Sequence, residues 1–323
     1  MVYFRFPFSD QIFTTEENAA TDAVSFVSFD KMDELHFPGK ITPISRKKFL
    51  EKEIFTECLT SDLKNFKEEN QSSYEQKLDK VIAFIQENHL SKLVISRRKL
   101  LNFNDSKINL SQTFLNLCKS YPNAFVYFFI KDGACWLGAF SELLGKFDKK
   151  TRQFTTMSLA GTLPVEESWT DKEIDEQKTV TDFIKEILNT YSSTVQQSET
   201  YDHISGNIKH LRTDFKAEIS ADQVEKLIAE LHPTPAICGI PKDICTQAIA
   251  DFEEHPRKFY AGYIKVETEE FLYYFVNLRC AEFFKNAALI YVGGGITADS
   301  LPANEWRETE LKSEALLKNL SFP

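Results

Sequence analysis

Apolar residues recur along the chain with either the helical or the strand repeat. In the segment 74–90, Leu78, Val81, Ile82 and Ile85 share one face of a helix, so an amphipathic helix is predicted there. The next segment, KLVISRRKLLNF, begins at residue 92 and reads as a strand. Predicted helices and predicted strands therefore occupy separate segments of the sequence.

Further strands are predicted on both sides of two polar turns, at 131–133 and at 148–150. Strand character returns near the end of the chain in three segments, 259–268, 270–280 and 287–295. Strands thus come in adjacent runs, which favours an α+β fold over strictly alternating α/β.

Four segments outside these runs show the helical repeat: 170–191, 221–231, 241–255 and the segment that starts at Glu305. In the first of them the predicted buried stripe consists of Ile174, Val180, Phe183, Ile184, Ile187 and Leu188. No Pro/Gly-rich linker interrupts the chain, so a single domain over residues 1–323 is predicted.

Composition narrows the class of protein. Among 323 residues there are 28 Phe and 11 Tyr against 11 Gly, which predicts a large aromatic core with many strands. A net charge of −10 without a long basic run argues against a nucleic-acid surface. The N-terminal residues lack the pattern of a signal peptide, and apolar stretches such as 124–130 are too short for a membrane span. A cytoplasmic protein is predicted, with six reduced, mostly buried cysteines.

Two pairs of glutamates have the same spacing. Glu173 and Glu176 lie three residues apart in one predicted helix, and Glu305 and Glu308 repeat that spacing in another. Magnesium is typically held by one or two carboxylates, so four glutamates on two helices could form an oxygen-rich metal site. Solvated helix surfaces explain the same spacing, and spacing alone leaves both interpretations open.

Other polar features are ambiguous by themselves. The run Gly293–Gly295 follows a predicted strand and could let backbone N–H groups approach an anion, but a tight turn explains it equally well. Arg279 ends an apolar run, where it would meet either an anionic ligand or a buried acid. His210, judged alone, is typical of a structural histidine.

Taken in order, ten stretches resemble the chorismate-utilising enzymes, and most closely the isochorismate synthases. They cover roughly residues 90 to 313, whereas residues 1–89 match the family poorly and form a shortened N-terminal part. The matching stretches are KLVISR (92–97), WLGAFSELL (136–144), SLAGTLP (158–164), DKEIDEQ (171–177), KHLRTDF (209–215), LHPTPAICGIPK (231–242), RKFYAGYI (257–264), NLRC (277–280), VGGGI (292–296) and NEWRETELK (304–312).

The resemblance implies a chorismate-binding fold, in which two large, mostly antiparallel sheets pack face to face with helices outside. It also implies a magnesium-dependent addition of water to chorismate. Lys92 matches the lysine that acts as general base, and Glu142 the glutamate that acts as general acid. The metal ligands carry over to Glu176 and Glu308, and Glu173 and Glu305 line the same site directly or through water.

The resemblance also assigns substrate contacts and favours one reaction. Arg279 and Tyr260 match positions that bind the enolpyruvyl carboxylate, and Lys92 argues against anthranilate formation. Ala236 favours stopping at isochorismate rather than continuing to salicylate. The full set of implied substrate-binding residues is Gly161, Thr162, His210, Ala236, Tyr260, Arg279, Gly293, Gly295 and Lys312.

Alternatives remain open at this point. A salicylate synthase and an aminodeoxychorismate synthase are the rival enzymes. A chorismate-binding scaffold without turnover is the non-enzyme rival, because Gln177 stands where the family usually has histidine and Phe140-Ser141 where it has Ser/Thr-Pro. Chorismate is the predicted partner of a monomer or weak homodimer that binds neither nucleic acid nor membrane. The pathway could be menaquinone synthesis or siderophore and salicylate supply.

Overall fold

Two large antiparallel sheets form most of the protein in the computed structural model, which describes residues 1–16, 22–104, 106–205 and 208–322. The strands are, in chain order, β1 (Val2–Arg5), β2 (Ile12–Glu16), β3 (Asp22–Val27), β4 (Glu34–Pro38), β5 (Lys40–Ile44), β6 (Lys92–Asn102), β7 (Phe125–Lys131), β8 (Ala134–Phe140), β9 (Leu143–Asp148), β10 (Gln153–Pro164), β11 (Gln196–Gln197), β12 (Tyr201–Ser205), β13 (Ile208–Glu218), β14 (Gly239–Ile240), β15 (Tyr263–Glu267), β16 (Phe271–Val276), β17 (Cys280–Phe283) and β18 (Ala287–Ile296).

Helices occupy the segments between these runs of strands. They are α1 (Arg46–Leu50), α2 (Gln71–Glu87), α3 (Leu110–Ser120), α4 (Asp171–Tyr191), α5 (Val224–Leu231), α6 (Lys242–Phe252) and α7 (Pro302–Leu317), with short 3-10 turns at Thr56–Cys58 and Ala221–Gln223. Within the described ranges, no helix has the length and apolar character needed to cross a membrane.

Each sheet contains strands from distant parts of the sequence. The first sheet runs β14-β6-β18-β17-β8-β7-β1-β2-β5, and the second runs β11-β13-β10-β9-β16-β15-β3-β4, with β12 also paired to β13. Neighbouring strands pair antiparallel in both sheets, as the pairings β6–β18 and β10–β13 illustrate. The predicted α+β fold with two large antiparallel sheets is confirmed. Between β8 and β9 the chain crosses from the first sheet to the second.

Aromatic side chains fill the space between the sheets. On β7, Phe125, Tyr127 and Phe129 belong to this core, because alternate residues of a strand point to the same face. The ring of Phe125 stacks on Phe275 of the second sheet at 4.4 Å between centroids. The ring of Phe129 lies 4.5 Å from that of Phe26. Burying each such side chain contributes roughly 1.5–3 kcal/mol to the stability of the fold. Contacts between these aromatic side chains therefore hold the two sheets together.

The other face of β7 packs beneath helices. Val126 and Phe128 join a second apolar cluster, which includes Phe49 of α1 and Phe114 of α3. β7 is therefore buried on both faces, which accounts for its uninterrupted apolar sequence.

The predicted buried stripe of α4 was wrong at its first position. Val180, Ile184 and Leu188 are buried, but Ile174 is 48% exposed. The buried face of the helix instead continues through Gln177 and Glu173, because residues three and four apart lie above one another. Two polar side chains thus occupy the part of α4 nearest the site described next.

Candidate active site

A pocket forms where the β8–β9 crossover and strands of both sheets meet the helices α4 and α7. Its empty volume, with the open mouth included, is about 1080 Å³, at the upper end of the range for small-molecule sites. The predicted acid–base and substrate residues all line it, as do three of the four predicted metal ligands: Lys92, Glu142, Gly161, Thr162, His210, Ala236, Tyr260, Arg279, Gly293, Gly295, Lys312, Glu173, Glu176 and Glu308.

Glycines in β18 make room for two of these side chains. A Cβ on Gly295 would lie 2.2 Å from Cε of Lys92, and one on Gly293 would lie 2.9 Å from the hydroxyl of Tyr260. Such contacts are too close for any larger residue. The run Gly293–Gly295 lies inside strand β18, so the interpretation of these glycines as a tight turn was wrong.

Gly161 permits a similar close approach in the second sheet. Its φ is +72°, a conformation that favours glycine, and the β10–β13 register shifts at this point. A Cβ here would lie 3.1 Å from Cβ of Glu173 and 3.2 Å from its carbonyl oxygen. The glycine therefore brings the end of β10 against the first turn of α4.

Glu142 sits at the crossover between the two sheets and is 6% exposed. Burial raises its pKa to about 7, although the nearby charge of Lys92 acts in the opposite direction. A carboxyl group with this pKa holds its proton to near neutral pH, which is the tuning that a general acid requires.

Three lysines pair with three of the glutamates. Lys92 Nζ lies 2.5 Å from Oε1 of Glu176, and Lys312 Nζ lies 2.6 Å from Oε1 of Glu308. The third pair joins Nζ of Lys172 to Oε1 of Glu305 at 3.1 Å. Among the described residues, three of the four predicted metal ligands on α4 and α7 are thus paired with an ammonium group, and Glu173 is the exception.

Glu173 is held by a helix cap. Its Oε2 accepts hydrogen bonds from the backbone N–H of Thr170, at 3.1 Å, and from the Thr170 hydroxyl. This capping box satisfies donors at the start of α4. Glu173 therefore stabilises the helix that carries Glu176 and also borders the pocket.

Glu305 lies behind the pocket wall and is 2% exposed. Its Oε2 is buried without a hydrogen-bond partner among the described residues. A Cβ on Gly294 would lie 3.2 Å from this oxygen and 4.0 Å from Oε1 of Glu308, so the glycine leaves a space bordered by both carboxylates. Burial, and then the charge of Glu308, raise the pKa of Glu305.

These carboxylates fit a hard dication in their chemistry. Oxygen donors are what Mg²⁺ prefers, and the orphaned oxygen of Glu305 faces a space that a second glutamate also borders. Within the described ranges, no three His, Cys, Asp or Glu side chains are grouped closely enough to form a metal cluster.

His210 and Arg279 form a hydrogen-bonded pair that also lines the pocket. Nδ1 of His210 donates to the carbonyl of Gly161 at 3.0 Å, so Nε2 accepts from Nη2 of Arg279, also at 3.0 Å. Burial, and then the charge of Arg279, hold the pKa of His210 well below its ordinary value. The imidazole is therefore neutral and serves as an acceptor, which leaves positive charge on the arginine.

The two departures from the family pattern have structural roles. Nε2 of Gln177 donates to Oγ of Ser158 at 2.9 Å and to Oγ1 of Thr213 at 3.3 Å, and it thereby ties α4 to the second sheet. Ser141 Oγ lies 3.2 Å from Nε2 of His203. Phe140, which precedes Ser141, packs in the core between the sheets.

Sequence reasoning missed Lys172 as a site residue. It lines the pocket, and its ion pair with Glu305 crosses 133 positions of sequence. Its place directly before the first glutamate pair was a signal that could have singled it out. Ser141, Leu278 and Tyr291 also line the pocket without having been predicted.

Known proteins are similar to this chain over most of its length. A sequence model of the family described as chorismate binding enzyme matches residues 30–321. The chain is 28% identical over 264 residues to isochorismate synthase EntC of Escherichia coli K12, covering 76% of this chain and 66% of that protein. It is 29% identical over 273 residues to isochorismate synthase DhbC of Bacillus subtilis, covering 76% of this chain and 67% of that protein.

A solved structure supports the same fold. The menaquinone-specific isochorismate synthase MenF from Escherichia coli matches with a TM-score of 0.79 at 20% identity, covering 98% of this chain and 88% of that chain. The chain thus spans just under two thirds of EntC but nearly all of the fold seen in MenF.

Proposed function

Since the chain belongs to the family of chorismate-binding enzymes, we propose that it is an isochorismate synthase, which converts chorismate to isochorismate. The relatives that it matches carry this activity in their names. The observation that carries the proposal is that Lys92 and a buried Glu142 with a raised pKa line one pocket. The pocket thereby provides both a base and an acid to the substrate that binds in it.

Lys92 acts as the general base in this reaction. Its amine takes a proton from water while the water oxygen forms a bond to C2 of the chorismate ring. The ring double bonds shift, and the bond between C4 and its hydroxyl oxygen breaks. Lys92 is buried and passes beside Gly295, so its amine has a defined position for this step.

Glu142 acts as the general acid. Its proton goes to the departing C4 hydroxyl, which leaves as water, so no net water is consumed. Its pKa of about 7 allows the carboxyl group to carry this proton at neutral pH. Before the next turnover the Lys92 ammonium releases the proton that it took from water, and the Glu142 carboxylate takes up one proton, so both groups return to their starting forms.

The substrate is a dianion, and the pocket supplies cationic groups for its two carboxylates. Arg279 and Tyr260 would bind the enolpyruvyl carboxylate, and the contact of Nη2 of Arg279 with Nε2 of His210 supports this role by fixing the arginine. Lys312, which also donates to the carbonyl of Gly293 at 2.9 Å, provides a second cationic group.

Magnesium is the proposed cofactor. Glu176 and Glu308 would hold it, with Glu173 and Glu305 in support. When bound, the ion would supply positive charge for the ring carboxylate of chorismate. The oxygen donors and the space beside Gly294 support this assignment.

Product identification tests the proposed function. The purified chain is incubated with chorismate and Mg²⁺, and products are identified by NMR and mass spectrometry at early times. Isochorismate is expected as the main product. Salicylate with pyruvate would identify a salicylate synthase, an ammonia-dependent product an aminodeoxychorismate synthase, and binding without turnover a scaffold.

A further inference from the structure

Glu305 is separated from the pocket by a lysine. Of the four predicted metal ligands it is the one that does not line the pocket, whereas Lys172 does. Oε1 of Glu305 accepts from Oγ of Ser300 at 2.7 Å and from Nζ of Lys172 at 3.1 Å. The ammonium group therefore occupies one side of a carboxylate that is 2% exposed.

Lys172 is the partner of this ion pair that can move away from the other. Its side chain is 39% exposed, whereas that of Glu305 is 2% exposed. It stands in the first turn of α4, directly before Glu173. A long side chain anchored at the pocket mouth can swing into solvent, while the carboxylate that it covers stays in place.

The second oxygen of Glu305 indicates what the covered carboxylate lacks. Oε2 is buried and unpartnered among the described residues, and it faces the space beside Gly294 that Glu308 also borders. A monovalent ammonium satisfies only Oε1. Glu305 and Glu308 border that space and would help to hold a dication, whose charge would repel the ammonium group of Lys172.

We propose that Lys172 is an internal competitor for the metal: it covers Glu305 in the metal-free protein and must be displaced when Mg²⁺ binds. This inference rests on the magnesium site of the proposed function. Only molecules in which the Lys172–Glu305 pair is broken can bind Mg²⁺. The apparent Kd for Mg²⁺ therefore equals the Kd of these molecules divided by their fraction of the population. Lys172 is thus a positioning residue that sets metal affinity, and it takes no part in proton transfer.

The test is calorimetric titration of Mg²⁺ into the full chain at constant ionic strength, without substrate. Lys172→Gln removes the competitor and is expected to lower the Kd about fivefold, the change expected if the pair is closed about four-fifths of the time. Lys172→Arg keeps the charge and is expected to bind Mg²⁺ no more tightly than wild type.

Lys178→Gln is the matched control. Lys178 is an exposed lysine on the same helix and does not line the pocket, so the variant removes the same charge at a distance. Its Kd is expected to stay within about twofold of wild type, since exposed charges are screened beyond about 10 Å. If Lys178→Gln gained as much Mg²⁺ affinity as Lys172→Gln, the change in net charge would explain both results, and the competitor role would be wrong.

The outcomes separate this inference from the proposed function. If wild type binds Mg²⁺ and converts chorismate while Lys172→Gln leaves the Kd unchanged, the competitor role alone is wrong. If wild type binds no Mg²⁺, the proposed metal site is wrong and the competitor role falls with it. Thermal unfolding without metal verifies that every variant is folded before titration.

Discussion

The Lys92 ammonium lies 2.5 Å from Oε1 of Glu176, so the proposed base and a proposed metal ligand form one ion pair. Both side chains are largely buried, at 5% and 18% exposure. Burial is the largest single influence and raises the pKa of Glu176, but the charge and hydrogen bond of Lys92, together with the charges of Lys312 and Lys172, hold the pKa below its ordinary value. An amine accepts a proton only when it is neutral. In the proposed mechanism Glu176 would then need another cation, which would link the base to the metal site.

Replacing Lys92 by alanine is expected to lower kcat by about a thousandfold, within the range for loss of a general base. Chorismate binding should change much less, because the carboxylate contacts remain. Steady-state kinetics separates kcat from KM, and fluorescence titration gives binding. Lys99→Ala is the control, since Lys99 is an ion-paired lysine of the same strand, 2.6 Å from Glu310. Full turnover in Lys92→Ala would refute its role as the base.

The pH dependence of turnover should report Glu142. Because the acid form is active and its pKa is about 7, kcat/KM is expected to fall as pH rises above about 7. Glu142→Gln has no acidic proton to donate, so kcat/KM should fall to a low residual value that no longer declines above about pH 7. The measurement is kcat/KM between pH 5.5 and 9. A variant that keeps wild-type turnover with the same decline would assign the acid role elsewhere.

Glu142 should also make stability depend on pH. Its folded pKa of about 7 lies above its ordinary value of 4.5, so between these values the folded state binds more protons than the unfolded state. The free energy of unfolding therefore decreases as pH rises through this window, by about 2 kcal/mol between pH 5 and 8. Urea unfolding of wild type and Glu142→Gln at both pH values measures this. The difference between the two proteins should change by that amount, and a constant difference would contradict the raised pKa.

Glu308→Gln is expected to raise the Mg²⁺ concentration for half-maximal activity by about tenfold or more, because it removes a charged ligand. Glu314→Gln on the same helix is the control. Glu314 pairs with Lys318 four residues on, as Glu308 pairs with Lys312, but it lies outside the pocket lining. Identical metal titrations for both variants would remove Glu308 from the metal site.

Much of the fold followed from local patterns. The helices predicted at 170–191 and beyond Glu305 are confirmed by α4 and α7. Apolar Val180, Ile184 and Leu188 lie on the buried face of α4, whereas the buried face of α7 is mostly polar. Ile174 was misplaced because Glu173 and Gln177 take the buried face near the pocket, where capping and hydrogen bonds replace apolar contact. The pattern of hydrophobic residues cannot reveal such buried polar positions.

Most residues of the site could be predicted, but not the ion pairs between them. Ordered motifs brought Lys92 and Glu142 into one proposal, and the structure places both at one pocket. Which lysine neutralises which glutamate depends on tertiary contacts. Lys92 and Glu176 are 84 positions apart, and no spacing rule links a strand residue to a helix residue over that distance.

The most direct test of the central claim is the source of the new hydroxyl oxygen. Wild-type protein is incubated with chorismate and Mg²⁺ in H₂¹⁸O, and isochorismate is analysed by mass spectrometry and NMR at low conversion. Water addition at C2 with loss of the C4 hydroxyl predicts one ¹⁸O at C2, formed by wild type and lost in Lys92→Ala. Isochorismate without ¹⁸O would contradict attack by solvent water, and absence of isochorismate would contradict the proposed function.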